Sequence, residues 1–451
     1  MFIVSILQGI LGLLAIIGIA FLFSNNKRKI NWRLVISGLI LQILFAIFVL
    51  KGDLLGSYFA PFAWPKRFLE GVGYGFVLIL GFTSEGAKFV FGPLALSPGN
   101  QGSIGMVFAF QVLPTIIFFA SLMSLLYYLG VMQKIVQVMA WVMAKVMGTS
   151  GAESLSNTAN IFVGQTEAPL MIKPYIKGMT QSELLTIMVG GMATIAGGVM
   201  AAYVQILGQT YSQVMHVPLQ QAQILFATHL LGASTMAAPA GLLLSKIIYP
   251  ETEESETKGS VKVPVEKNAS NFVEAAAAGA SDGLMLALNV GGMLIAFIAL
   301  IALVNYLFQA LGDVTGLNKI LMANFHQPLN LQLILGLALQ YLAMAIGVPY
   351  NSALQFGSLI GTKLVLNEFV AYLDMTKMIE LGQLTDPKAI LMATYALCGF
   401  ANFSSIAIQI GGISPLAPNR RSDIARLGIK AVIGGALATL MTATLGGVFF
   451  Q

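Results

Sequence analysis

The sequence predicts an all-α polytopic membrane protein with eight transmembrane helices, two opposed re-entrant hairpins in an inverted repeat, and interfacial helices. Three observations carry this. The 451 residues are 57% hydrophobic and only 10% charged, with a mean hydropathy of +0.82. Apolar runs of membrane-crossing length recur along the chain, without the short alternating segments of a β-barrel. Two of the apolar stretches are interrupted by an isolated glutamate, Glu167 and Glu368.

The first helix is expected at 2–23 and the second at 34–50. Lys27, Arg28, Lys29 and Arg33 follow the first apolar run rather than precede it. That order implies a retained helix with its N-terminus outside, not a cleaved signal peptide. Residues 51–102, with Pro61, Pro65, Pro93 and Pro98 and the pair Glu85 and Lys88, read as an interfacial segment on the outer side. Domain 1–102 is thus a scaffold of N-terminal helices plus that segment.

The first repeat occupies 103–249. A third helix, 103–128, is expected to kink at Pro114, and 132–147 is too polar at its ends to be a confident span. Between Glu153 and Lys173 the only charged side chain is Glu167, set in Gly164-Gln165-Thr166-Glu167-Ala168-Pro169. Each apolar half of this stretch is only about ten residues, whereas a crossing needs about twenty, so 152–177 is expected to be a re-entrant hairpin. Thr166 is placed to cap its second half and Pro169 to sit in the first turn. Helix four, 183–207, is interrupted at 194–198, which fits either unwinding or close packing through small residues. Helix five spans 222–248.

Residues 250–274 hold six of the nineteen acidic residues and are expected to form a solvated, mobile cytoplasmic linker. The second repeat, 275–451, contains helix six at 283–311, an apolar segment at 331–347, a second hairpin at 350–380 interrupted by Asn367-Glu368, a seventh helix at 389–413 interrupted at 399–405, and an eighth at 427–450. Eight spans place both termini outside and both strongly basic loops inside.

Opposed hairpins beside broken helices are the architecture of a secondary transporter with a midplane site. One cysteine, Cys398, excludes a disulfide framework, and His216, His229 and His326 lack metal-ligand spacing. No nucleophile is paired with a base, so an enzyme is not expected, and the net charge of +5 lies beside apolar spans, as for membrane orientation and not for nucleic acid. If the breaks converge, they bring together Gln165, Thr166, Glu167, Glu368, Asn402 and Ser405. Such a set suits a neutral solute rich in hydroxyls. Phe400 is compatible with packing or with stacking on a base ring. Asn160 and Thr194 are compatible with ligating a hard cation or with satisfying backbone groups.

Three motifs, Gly-Gln-Thr-Glu-Ala-Pro at 164–169, Thr-Lys-Leu-Val-Leu-Asn-Glu-Phe-Val-Ala-Tyr at 362–372 and Cys-Gly-Phe-Ala-Asn-Phe-Ser-Ser-Ile at 398–406, resemble the signatures of the concentrative nucleoside transporter family, in order and spacing from about Ser103 to the C-terminus. Without the long N-terminal extension of animal members, the chain is similar to bacterial ones. The resemblance implies a homotrimer in the cytoplasmic (inner) membrane that takes up nucleosides such as uridine by elevator-type alternating access with sodium as coupling ion and no cofactor. It implies that Gln165, Thr166 and Glu167 face the nucleobase with Val199 and Phe400, that Glu368, Asn402 and Ser405 hold the ribose, and that sodium is held by the Asn160 and Thr194 side chains and the Val163 and Ile195 carbonyls. A proton-coupled nucleoside carrier and a passive pore for small polar solutes are the alternatives; purine against pyrimidine preference stays open.

Overall fold

A computed structural model describes residues 2–96, 100–258 and 269–450. Every regular element among them is helical. Helix starts are written into the sequence as capping residues. Ser150 and Thr180 each form a reciprocal box with a glutamate three residues on, Glu153 and Glu183. Asn31, Asn271, Asn330, Asn367, Asp386 and Asn402 each accept from the amide of the residue three ahead. In an apolar medium the first amides of a helix have no water to bond, so these caps fix where each helix can begin.

Eight helices among the described residues are long and apolar enough to cross a membrane. Their number matches the expectation, but the set differs. The span Ala60–Ala95 enters, built on the continuous helix Trp64–Phe91 where an interfacial segment was expected. Its prolines bound it instead of breaking it. Pro65 stands at the helix start, where no amide is needed, and Pro93 follows the left-handed Gly92 at its end. Residues 389–413 leave the set, because they form two separate pieces of eleven residues, Pro387–Leu397 and Phe403–Ile413. Pro114 stands in the first turn of Leu113–Tyr128, just after a break at Val112, so the longer span Phe108–Tyr128 is interrupted beside it, as expected.

The expected hairpins are present. The first runs through Gly151–Ala159, a turn, Ala168–Ile172 and Lys173–Ile176; the second through Tyr350–Ser352, Ala353–Val365 and Glu368–Glu380. Thr166 does not cap the returning arm. Glu167 holds that position, and no side chain bonds the free amides there. The first broken helix is Gln181–Ala193 plus Gly197–Met215, with Thr194 extended between the halves, so the 194–198 interruption is true unwinding.

The packing is layered by burial. Gln181–Met215, Leu219–Ile248 and Pro418–Phe449 are 89%, 94% and 83% buried over their apolar windows, whereas Val4–Leu22 and Phe272–Val314 are each 22% buried. The first group, with both hairpins, forms the interior; an apolar helix left uncovered is suited to lipid or to a second copy. Phe272–Val314 has 43 residues, roughly 65 Å at 1.5 Å per residue. That is about twice a hydrocarbon core, so the helix is long enough to tilt across the membrane or to project beyond it. It packs antiparallel along Leu113–Tyr128, pinned by Ser121 and Ser124 hydroxyls that donate to the Ala276 and Ala275 carbonyls at 2.8 and 2.7 Å.

The acidic linker also differs from expectation. Its first part is docked. Lys246, 4% exposed, pairs with Glu153 at 2.8 Å and Glu251 at 3.3 Å. Thr257 accepts from the Gly151 and Ala152 amides through its carbonyl and hydroxyl, and Ser255 donates to Glu183. Glu251, which reads as a solvated charge, is here a partner of a buried lysine, and Thr257 satisfies two helix-start amides. Residues 259–268 of the linker lie outside the described residues.

Candidate functional site

Four interruptions meet in the interior. Gly399, in the second break, lies so close to the first that a Cβ on it would sit 2.8 Å from both the Met192 and Ala193 carbonyl oxygens. Gly191 does the same for hairpin one, where a Cβ would lie 2.8 Å from the Gln165 Cβ and 3.0 Å from the Gln409 amide nitrogen. Only glycine lets these backbones approach so closely.

A continuous chain of hydrogen bonds runs through this meeting point. Gln409 donates to the Met188 carbonyl at 2.9 Å and to Gln165 Oε1 at 3.0 Å. Gln165 Nε2 donates to Ser405 Oγ at 3.2 Å. The Ser405 amide donates to Asn402 Oδ1 at 2.9 Å, which is the N-cap bond of Phe403–Ile413. Asn402 Nδ2 then donates to Glu368 Oε2 at 3.0 Å, and Tyr203 OH donates to Glu368 Oε1 at 3.0 Å. Hairpin one, hairpin two, the second break and the first broken helix thus share one polar network. Asn402 can serve both neighbours because the helix is unwound at 398–402, leaving its two amide atoms to face different partners.

Glu368 is 4% exposed, and its carboxylate is held by two donors on two elements. Its Asn367 neighbour starts the returning helix by accepting from the Val370 amide. Glu167 has a different setting. Its carboxylate folds back over Gly164 and borders a cavity of about 830 Å³ shared with Tyr127, Lys173, Lys177 and Asp282. The two glutamates therefore do not join one cluster of hydrogen bonds. Thr166 packs its methyl against Gly412, Val199 is buried and Phe400 is half-buried.

The other group expected to work together, Asn160, Val163, Thr194 and Ile195, is buried. The Gly197 amide donates to the Phe162 carbonyl at 3.0 Å, tying the hairpin turn to the first break. Asn160 Nδ2 donates to the Ser156 carbonyl, but Asn160 Oδ1 is buried without a hydrogen-bond partner. Thr194 Oγ1 donates to the Gly190 carbonyl at 2.8 Å, which leaves its lone pairs free to accept. Buried neutral oxygens with unused lone pairs are the ligand type a small hard cation takes.

Sequence reasoning missed Tyr203 and Gln409. Both carried a helical signal. Tyr203 lies four residues after Val199, and Gln409 lies four after Ser405 and seven after Asn402, spacings that put each on the face already assigned.

Comparison with known proteins gives these elements a family. Residues 11–94 match the model described as the N-terminus of the Na+ dependent nucleoside transporters, 109–210 the one described as nucleoside recognition, and 229–447 the one described as the C-terminus of the same transporters. An uncharacterized transporter of Haemophilus influenzae is 47% identical, covering 99% of this chain and 98% of its own. The chain belongs to the sodium-dependent nucleoside transporter family. The nucleoside permease NupC of Helicobacter pylori is 40% identical over 99% of this chain and 98% of its own. Sodium/nucleoside cotransporter 1 of the mouse is 38% identical over 97% of this chain and 63% of its own. Among solved structures, CNTnw in an inward-facing substrate-bound state superposes with a TM-score of 0.84 at 41% identity, covering 99% of this chain and 98% of that one. A double variant of CNTnw in an outward-facing state gives 0.85 at 40%, again over 99% and 98%. One architecture in outward and inward states is the pattern of alternating access, and with the family match it makes this chain a sodium-coupled nucleoside transporter.

Proposed function

We propose that the chain imports nucleosides such as uridine with sodium, as a homotrimer in the cytoplasmic membrane with both termini outside, and that its substrate site is the polar network joining the two hairpin tips. The observation that carries this reading is the bonded path from Gln165 through Ser405 and Asn402 to Glu368. Glu368 and Asn402 offer acceptors and donors for ribose hydroxyls. Gln165 presents an amide edge for a base, with Thr166, Val199 and Phe400 completing the wall and Ser405 between base and sugar. Glu167 faces the base from the rim of the cavity.

Sodium is assigned to Asn160, Thr194 and the Val163 and Ile195 carbonyls. The unpartnered Asn160 Oδ1 supports it, since a buried acceptor left alone costs about 1–3 kcal/mol and a cation would satisfy it. The ion would brace the first break beside Gly191, against which Gln165 rests. Ordering that break orders the substrate site, so sodium and nucleoside tighten each other's binding by the same factor.

The large cavity lies between hairpin one and the packed pair Leu113–Tyr128 and Phe272–Val314 and reaches Lys173 and Lys177. Basic feet mark the cytoplasmic side, which makes this an inward-facing release path. The hairpins and broken helices would move against that pair. Counterflow of a nucleoside panel in proteoliposomes, with and without sodium, tests the assignment: exchange of nucleosides but not free bases or ribose phosphates is expected, and only with sodium. Tyr203→Phe removes one charge-assisted bond to Glu368, of about 1.5–3 kcal/mol. It should raise the uridine KM roughly tenfold or more while leaving the sodium dependence in place.

A further inference from the structure

The two breaks bring two helix C-termini together. Gln181–Ala193 and Pro387–Leu397 end at the point where Gly399 touches the Met192 and Ala193 carbonyls. Each end carries roughly half a negative charge, and facing like ends in a low dielectric repel. In the first break the neutral oxygens around Asn160 and Thr194 suit a mobile cation. The second break has a different occupant. Lys363 is 1% exposed, and its ammonium donates to the Ala396 carbonyl at 2.8 Å and to Thr439 Oγ1 at 3.1 Å. No carboxylate among the described residues lies within 4.0 Å of it. An intramembrane lysine without a paired acid is held for a purpose other than an ion pair.

Counted back from the C-cap of each entering helix, Lys363 corresponds to Asn157, one turn before Asn160. Asn160 caps the end of the first hairpin's entering helix, Gly151–Ala159, and Lys363 lies in the last turn of the second hairpin's entering helix, Ala353–Val365. Lys363 reaches the broken helix of its own repeat at Ala396. Asn157 of hairpin one donates to the Thr186 carbonyl, as Tyr372 of hairpin two donates to the Thr394 carbonyl. Thr439 joins the two halves, accepting from Lys363 while its methyl lies against Gly399.

We propose that the Lys363 ammonium is a tethered cation that holds the second helix break as sodium holds the first. It is a positioning residue: by fixing Ala396 at the edge of 398–402 it sets Asn402 against Glu368. The proposal rests on the sodium assignment above, but its test separates the two. Lys363→Met keeps volume and removes charge; Lys363→Ala removes both and leaves space for a small cation. In proteoliposomes, Lys363→Met should lower uridine uptake at least tenfold at any sodium concentration. Lys363→Ala should lose uptake similarly and regain it several-fold with methylammonium, which should leave the wild type unchanged. If either variant is not monodisperse after purification, methylammonium should restore Lys363→Ala and not Lys363→Met. Near-normal uptake by either variant without methylammonium, or Lys363→Ala that does not recover with it, overturns the proposal. Wild-type uptake indifferent to sodium would instead refute the sodium assignment, leaving the methylammonium comparison to decide the role of Lys363.

Discussion

Glu368→Gln abolishes uridine uptake while the purified protein stays folded and of native size. The carboxylate accepts from Tyr203 and Asn402 at 3.0 Å each. A glutamine of equal volume carries no charge and offers one acceptor oxygen; with that oxygen on Asn402 Nδ2, its NH2 meets the Tyr203 hydroxyl, which must switch from donor to acceptor. Hydrogen bonds to a charged group contribute about 1.5–3 kcal/mol each. Weakening both should reduce kcat/KM by about 10²-fold, before any bond to a ribose hydroxyl is counted. The fold should survive, because Asn367 still caps the returning helix and the residue's volume is unchanged. Radiolabelled uridine uptake together with size-exclusion chromatography checks both halves. Near-normal uptake would remove Glu368 from the sugar site.

Asn160→Leu is expected to raise the sodium concentration for half-maximal uptake by about 10²-fold, the equivalent of about 2.7 kcal/mol, without lowering thermal stability in sodium-free buffer. The two effects separate because the wild-type Oδ1 is a buried acceptor without a partner. Replacing such a group by an apolar one of similar size relieves its unsatisfied state, although the Nδ2 bond to the Ser156 carbonyl is lost. A residue serving only to satisfy backbone groups would show the reverse, a lower melting temperature with unchanged sodium dependence. Sodium titration of uptake and sodium-free melting distinguish them.

The sequence exposed the interruptions because polar residues inside apolar runs have few structural uses in a membrane. Glu167 and Glu368 marked both hairpins, and the glycine-rich and Asn402-containing breaks marked both broken helices. Boundaries were harder where one residue type serves two ends. Proline marks helix starts as well as breaks, so Pro65 and Pro93 concealed the helix Trp64–Phe91. The acidic linker misled because charge count does not show partners. Lys246 lies at the end of an apolar span, and only folding brings Glu153 and Glu251 onto it.

Among the candidate residues, type alone does not show which ones touch. Gln165, Asn402, Ser405 and Glu368 form one bonded chain, as their polarity suggested, but Glu167 turns to the cavity. Tyr203 and Gln409 share a helix face with assigned residues, but a tyrosine or glutamine in a membrane helix has ordinary packing roles, and only the carboxylate and amide they meet across the fold give them another. Lys363 stood inside a recognised motif, yet its partners, Ala396 and Thr439, lie 33 and 76 residues away.

The central claim is that a sodium gradient drives nucleosides through the site between the hairpins. Its most direct test is uptake of labelled uridine into proteoliposomes under an inward sodium gradient with equal pH on both sides. The account predicts accumulation above the external concentration, abolished when potassium replaces sodium. Accumulation driven by a proton gradient in the absence of sodium, or simple equilibration under every gradient, would contradict it.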